Sequence, residues 1–327
     1  TDDQRPTTFV IRRWSFVIRR SSFRDNAVNH TIGEIAALGA SVCWTFTSIF
    51  FTIASKRVGS VIVNRVRLLL AVAFLSITHF VVMGQWLPLQ ATAYNWFWLG
   101  LSGVIGLALG DLFLFQSYIW IGPRRAMLLM SLVPIISALS AWAFLGERLG
   151  LVEMLAVGLT VGGITWVVLE KENANGPQTD RRQYWLGILL GIGAAFGQAL
   201  GLVASKKGMV GDFAPLSATL IRMIVAMATM WAYTLFRGEA GQTFGALADQ
   251  RAGLAILGGS FGGPFIGVWL SLVAVKLAPV GIASTLMALP PVFVLPLSFR
   301  VFKERISLQA VVGTLVAIGG VAIVFLT

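Results

Sequence analysis

The chain has 327 residues, 57% of them hydrophobic and only 12% charged, with a mean hydropathy of +0.81. Soluble domains carry about 25% charged residues, so these few charges cannot cover a water-facing surface, and a soluble globular protein is excluded. The net charge of +11 does not point to nucleic acid: the basic residues are scattered at helix ends, six of the 25 within the first 24 residues, where they read as topology signals or contacts to anionic lipid.

Residues 1–31 form a basic N-terminal arm. Phe9-Val-Ile-Arg-Arg and Phe16-Val-Ile-Arg-Arg repeat in tandem with Phe23 in phase, as in an amphipathic helix lying on headgroups; a disordered tail or a non-native extension is the alternative. Ten continuous apolar runs follow, at about 32–54, 61–83, 94–121, 125–145, 151–170, 184–205, 214–236, 252–276, 280–299 and 308–326. Each is long enough to cross roughly 30 Å of hydrocarbon, and none alternates as barrel strands do. The polar stretch 171–183 divides the spans five and five. The expected fold is an all-α integral membrane protein with domains at 32–170 and 184–327.

The halves are copies. Gly122-Pro123, Pro134, Gly146-Glu147-Arg148-Leu149 and Gly162-Gly163 recur as Ala278-Pro279, Pro290, Lys303-Glu304-Arg305-Ile306 and Gly319-Gly320, 156 or 157 residues later. Gly33 and Gly39-Ala40 pair with Gly187 and Gly193-Ala194, and Arg67 with Arg222. An odd number of spans forces the second copy to enter from the opposite face. The expected architecture is therefore ten transmembrane helices as two five-helix inverted repeats, with a solute site near the midplane between them.

These paired units, with Trp44 in the first span, Arg67 early in the second and a Gly-Glu-Arg-Leu turn before a Gly-rich fifth span, resemble the EamA-like permeases of the drug/metabolite transporter superfamily. The resemblance covers 32–327. It implies a carrier with a central cavity that moves small organic solutes such as amino acids, often outward, in a bacterial inner membrane. It also implies both termini inside. Loop charges argue the reverse: loops on the N-terminal side carry Arg148, Lys206, Lys207 and Lys276, against twelve basic residues opposite, before the six arginines of the arm nearly even the count.

Asp111 is the sharpest single signal. A carboxylate well inside span three costs a few kcal/mol or more unless it is paired or watered. It lies roughly 15 Å from its end of the membrane and Arg67 roughly 9 Å from the same end, so an arginine side chain can bridge them. Two readings stand: a proton or substrate-charge site, or an ion pair of Asp111 and Arg67 tying two spans. Repeat equivalence adds Trp44 with Gln198, Gln116 with Trp269, and Met130 with Met287 as candidate substrate-binding residues, against lipid-facing or packing roles. Pro134, Pro264 and Pro290 interrupt spans and free backbone carbonyls. Glycines at four-residue spacing in spans six and eight, with Gly100, Gly103, Gly106 and Gly110 in span three, allow close helix packing.

No Gly-x-x-x-x-Gly-Lys-Ser/Thr loop is present, so direct ATP use is not expected. His-Glu-x-x-His and Gly-x-Ser-x-Gly motifs are also missing. One cysteine, Cys43, and two histidines, His30 and His79, are too few for a cysteine- or histidine-based metal centre. No catalytic residues, metal or cofactor are expected. The expected partners are a small-molecule substrate and the lipid bilayer, with no nucleic acid, and either a monomer or a homodimer is compatible. The expected function is secondary transport by alternating access, coupled to protons through Asp111 or simply equilibrating its solute. The rival is a membrane enzyme acting on a lipid-linked substrate.

Overall fold

The computed structural model describes residues 7–168, 181–246, 248–290, 292–293 and 308–326, with side chains from Val28 onward except at 122–125, 128, 167–168, 309–310, 314 and 324–326. Most of the 171–183 linker, the second half of expected span nine and the Lys303-Glu304-Arg305 turn lie outside the described residues. All regular structure among them is helical: α1 Thr7–Val58, α2 Ser60–Met83, α3 Ala93–Ser102, α4 Asp111–Met130, α5 Val133–Leu145, α6 Leu151–Val168, α7 Arg181–Gly208, α8 Pro215–Phe236, α9 Ala240–Ala246, α10 Gln250–Ser260, α11 Val268–Leu277, α12 Val280–Met287 and α13 Leu308–Leu326. Two π-helical stretches, Gly103–Gly110 and Phe261–Gly267, join α3 to α4 and α10 to α11.

Six of the resulting helices are long and apolar enough to cross a membrane, and three shorter apolar helices accompany them. Their outward faces carry large apolar side chains such as Phe97, Leu139, Leu155 and Leu189, a surface that only lipid can cover. The protein is a multi-pass membrane protein. The backbone of the arm does not end before the first span but continues its helix from Thr7.

The third and fourth expected spans carry one helical assignment through Gly122-Pro123. A straight helix would hold Ser117 and Leu129 about 18 Å apart, yet both side chains press against Gly191. The chain therefore turns back between them. The fourth expected span breaks at a turn over Ser131-Leu132, and Pro134 follows it in the first turn of α5, where its missing N–H is harmless. Pro290 likewise follows a turn at Ala288-Leu289.

Close-packed glycines set how the halves meet. Gly187, Gly197, Gly201 and Gly208 of α7 meet Ile121, Gly110, Gly106 and Leu99 in turn. Gly259, Gly263 and Gly267 meet Phe51, Thr47 and Trp44 of α1 in the same descending order, down to Gly33 against Ala278. The first helix of each half thus runs antiparallel to the third span of the other. Equivalent helices also oppose each other. His79, late in α2, bonds Ser217, early in α8, at 3.0 Å, while Trp231, late in α8, donates to the Arg65 carbonyl early in α2. In α6 and α13, Gly163 meets Gly313 and Ala317, while Gly320 meets Ala156 and Thr160.

Candidate functional site

A cavity with about 1020 Å³ of empty space, its mouth included, lies where the halves meet. Trp44, Thr47, Ser48 and Phe51 of α1 reach it at helical spacing, as do Leu107, Asp111, Leu114, Phe115 and Tyr118 of the third span. Met127, Met130, Gln198, Leu202, Pro264, Met287 and Pro290 complete much of the wall. In the third span these residues run from its middle toward Ile121, and in the fourth they occupy its first third. The cavity thus extends from the midplane toward the end of the bundle that carries Arg57. At the other end, Ala36, Ala40, Leu99, Ala141, Val275 and Ile282 belong to one buried apolar cluster.

Asp111 is only 8% exposed. One carboxylate oxygen accepts from Arg67 Nη2 at 2.5 Å, and the other from the Gln198 amide. Arg67 also donates to Asn64 Oδ1 at 2.8 Å and to the Leu107 carbonyl at 3.0 Å, and Asn64 Nδ2 donates to the Ala108 carbonyl at 3.0 Å. Those two carbonyls belong to the π-helical stretch. Its wider ladder has the Asp111 N–H bonding back to the Gly106 carbonyl, and polar side chains from α2 bond carbonyls within it, as backbone in hydrocarbon requires. The Arg67 guanidinium lies over the Phe115 and Phe51 rings, 5.0 and 5.7 Å from their centroids.

Arg222, the repeat partner of Arg67, is 2% exposed, and its Nε and Nη1 have no hydrogen-bond partner among the described residues. Its Nη2 lies 3.4 Å from where a Cβ on Gly106 would stand. A Cβ on Gly103 would overlap the Arg222 carbonyl, so glycine is what lets α8 approach the third span so closely.

Two sets of ties bracket the cavity. At the end that carries Glu147, Lys206 Nζ lies 2.7 Å from Glu147 Oε1 and donates to the Ala278 carbonyl, and Glu147 Oε2 accepts the Val280 N–H at 2.8 Å. Gly146, in the left-handed conformation at φ 70°, closes α5 and turns the chain toward Glu147. At the far end Arg57 pairs with Asp249 at 2.7 Å and Arg65 with Glu239 at 2.5 Å. The hydrogen bond from Arg65 holds the Glu239 carboxyl below its ordinary range, and that from Arg57 does the same for Asp249.

Of the residues singled out from sequence, Trp44, Asp111, Arg67, Met130, Gln198, Met287, Pro264 and Pro290 meet at the cavity. Gln116 and Trp269 do not. Gln116 accepts from Ser60 at 2.8 Å, and Trp269 stacks on Phe265. Each lies one residue beyond a cavity position, Phe115 and Val268, and is rotated about 100° around its helix. Pro134 stands one residue beyond Val133, the last wall position on that helix. Sequence reasoning missed Thr47, Ser48 and Phe51, although they lie three, four and seven residues after Trp44. It also missed the π-helical stretches, for which a Gly-rich run is no specific signal.

Among curated proteins no sequence match is found. A protein of known crystal structure aligns over 90% of this chain and 96% of its own at a TM-score of 0.70 and 17% identity, a likeness of fold alone. The family model of the EamA-like transporter family matches residues 31–169 and again 185–326. With both halves matched and their helices opposed around one cavity, the chain belongs to the EamA-like transporter family.

Proposed function

We propose that the protein is a secondary carrier of ten transmembrane helices in two inverted repeats, moving small organic metabolites, amino acids or drug-like solutes, by alternating access. Export from a bacterial cell across the inner membrane is the direction the family resemblance favours. One observation carries the reading: the described cavity-lining residues lie from the midplane toward the Arg57 end, while the opposite end is filled by a buried apolar cluster and tied by Glu147 and Lys206. Opposed repeats can exchange these two arrangements, because each half can adopt the conformation of the other. The wall mixes indole, thioether and amide groups around one buried ion pair, which suits an amphipathic solute. Asp111, Gln198, Trp44, Met130 and Met287 are the proposed solute contacts.

The test is counterflow in proteoliposomes with a panel of amino acids and organic cations, with and without a pH gradient. Saturable flux accelerated by solute on the far side is expected. Turnover of a lipid-linked substrate without flux would favour the enzyme reading instead. If Asp111 carries a coupling proton, Asp111→Asn should abolish the pH dependence of net flux and spare exchange; unaltered pH dependence would reject that role.

A further inference from the structure

Three charged side chains are buried along the third span, and they do not balance. Asp111 neutralises Arg67 by direct contact, and both of its oxygens are occupied, by Arg67 and Gln198. Arg222 reaches Gly106, whose carbonyl accepts the Asp111 N–H at the end of the π-helical stretch, but two of its three nitrogens bond nothing among the described residues. The cluster therefore carries one spare positive charge at a depth where uncompensated charge is expensive. Gly106, which has no side chain, lies against Arg222, and its carbonyl accepts from the Gln198 amide of the cavity wall. Among the described residues of the wall, Asp111 is the one acid and Arg67 the one base. A cationic solute would meet a positive cluster and no free carboxylate. An anionic group would supply the missing charge.

We propose that the excess positive charge of the Arg67–Asp111–Arg222 cluster recognises a single carboxylate on a solute whose remaining surface is apolar. The substrate class is then the amphipathic organic monoanions, in preference to cationic dyes. The carboxylate enters beside Arg67 at the cavity face, and Arg222 supplies the unbalanced charge from behind the π-helical wall. Phe51, Phe115, Leu114, Met127 and Met287 receive the apolar remainder. The inference rests on the carrier reading for its transport consequences but not for its binding consequences.

The experiment uses one aryl-alkyl skeleton bearing a carboxylate, a carboxamide or an amine, in two assays. In detergent, the carboxylate should raise the melting temperature of the wild-type protein, and neither analogue should match it. Arg222→Met should melt higher than wild type without ligand, because it removes an uncompensated buried charge, and should lose the carboxylate shift. In proteoliposomes, the carboxylate should have a KM at least tenfold below that of the carboxamide. Arg222→Gln should erase that ratio, and Asp111→Asn with Arg222→Gln, which restores one net positive charge, should recover it. The proposal is overturned if the amine stabilises or is transported as well as the carboxylate, if Arg222→Met melts well below wild type, or if Arg222→Gln leaves the ratio unchanged. A melting shift without flux would sink the carrier reading and leave the recognition claim standing; flux that favours the amine would do the reverse.

Discussion

At the scale of single residues, the account turns on a buried pair whose members cannot be removed separately without cost. Arg67→Met strands the Asp111 carboxylate and leaves the Leu107 carbonyl short of a donor. Breaking one side of such a pair costs about 3–5 kcal/mol, so the melting temperature in detergent should fall sharply. Adding Asp111→Asn should recover part of the loss, because the stranded charge is gone; a strictly additive double mutant would contradict direct coupling. This pair was legible in the sequence, since depth along two helices predicts it from rise per residue alone. Gln116 and Trp269 show where that reasoning ends. Repeat equivalence locates a residue along its span but not around it, and one residue of phase turns a side chain out of the cavity. The spare charge on Arg222 was invisible for another reason: the sequence shows that Pro264 takes the place of an aspartate in its repeat, but not whether some other group reaches the arginine.

At the scale of helices, contacts between glycines and their neighbours hold the two halves together. Gly163 meets Ala317 and Gly313 at backbone contact, whereas Gly158, on the same helix, has open space beside it. Gly163→Leu should push α6 from α13 and destabilise by about 1–3 kcal/mol, while Gly158→Leu should stay within about 0.5 kcal/mol of wild type; thermal unfolding of the two variants checks the contrast. Acid should loosen a different set of ties. Glu239 and Asp249 have folded values depressed below 4.5 and 3.8 by Arg65 and Arg57. The stability they contribute is present above the ordinary carboxylate range and is lost as pH falls through the depressed folded values. Melting temperature should therefore drop as pH falls below about 4, and Arg65→Gln should make that drop shallower. Nearly all the helices could be read from apolar runs bounded by Gly, Pro and charge. The first π-helical stretch could not, because its Leu107 and Ala108 carbonyls are bonded by Arg67 and Asn64 from another helix, a tertiary cause that local sequence does not contain.

At the scale of the whole molecule, the copying of one helical unit explains most of what is seen. Equivalent helices run antiparallel, and equivalent glycines stand at equivalent contacts, such as Gly39 with Leu270 and Gly193 with Phe113. The copies nevertheless differ at the cavity, where Asp111 faces Gln198 and the matching position of the second half holds Pro264. A fold made of equal halves has therefore become a site with one charge pattern. How the Glu147 end is tied depends on contacts far apart in the chain, such as Glu147 with Lys206, and no repeat arithmetic could reveal it. Lys206→Gln removes that tie and should shift the population toward the state open at the Glu147 end. The most direct measurement places a single thiol on the wall, Ser48→Cys with Cys43→Ser, and labels it with a membrane-impermeant reagent applied to one side of the membrane at a time. The account predicts labelling only from the side that also labels a Lys56→Cys control, with labelling from the opposite side rising when Lys206→Gln is added. Equal labelling from both sides at rest would indicate an open pore, and labelling from the Glu147 side alone would place the mouth at the wrong end; either would contradict it.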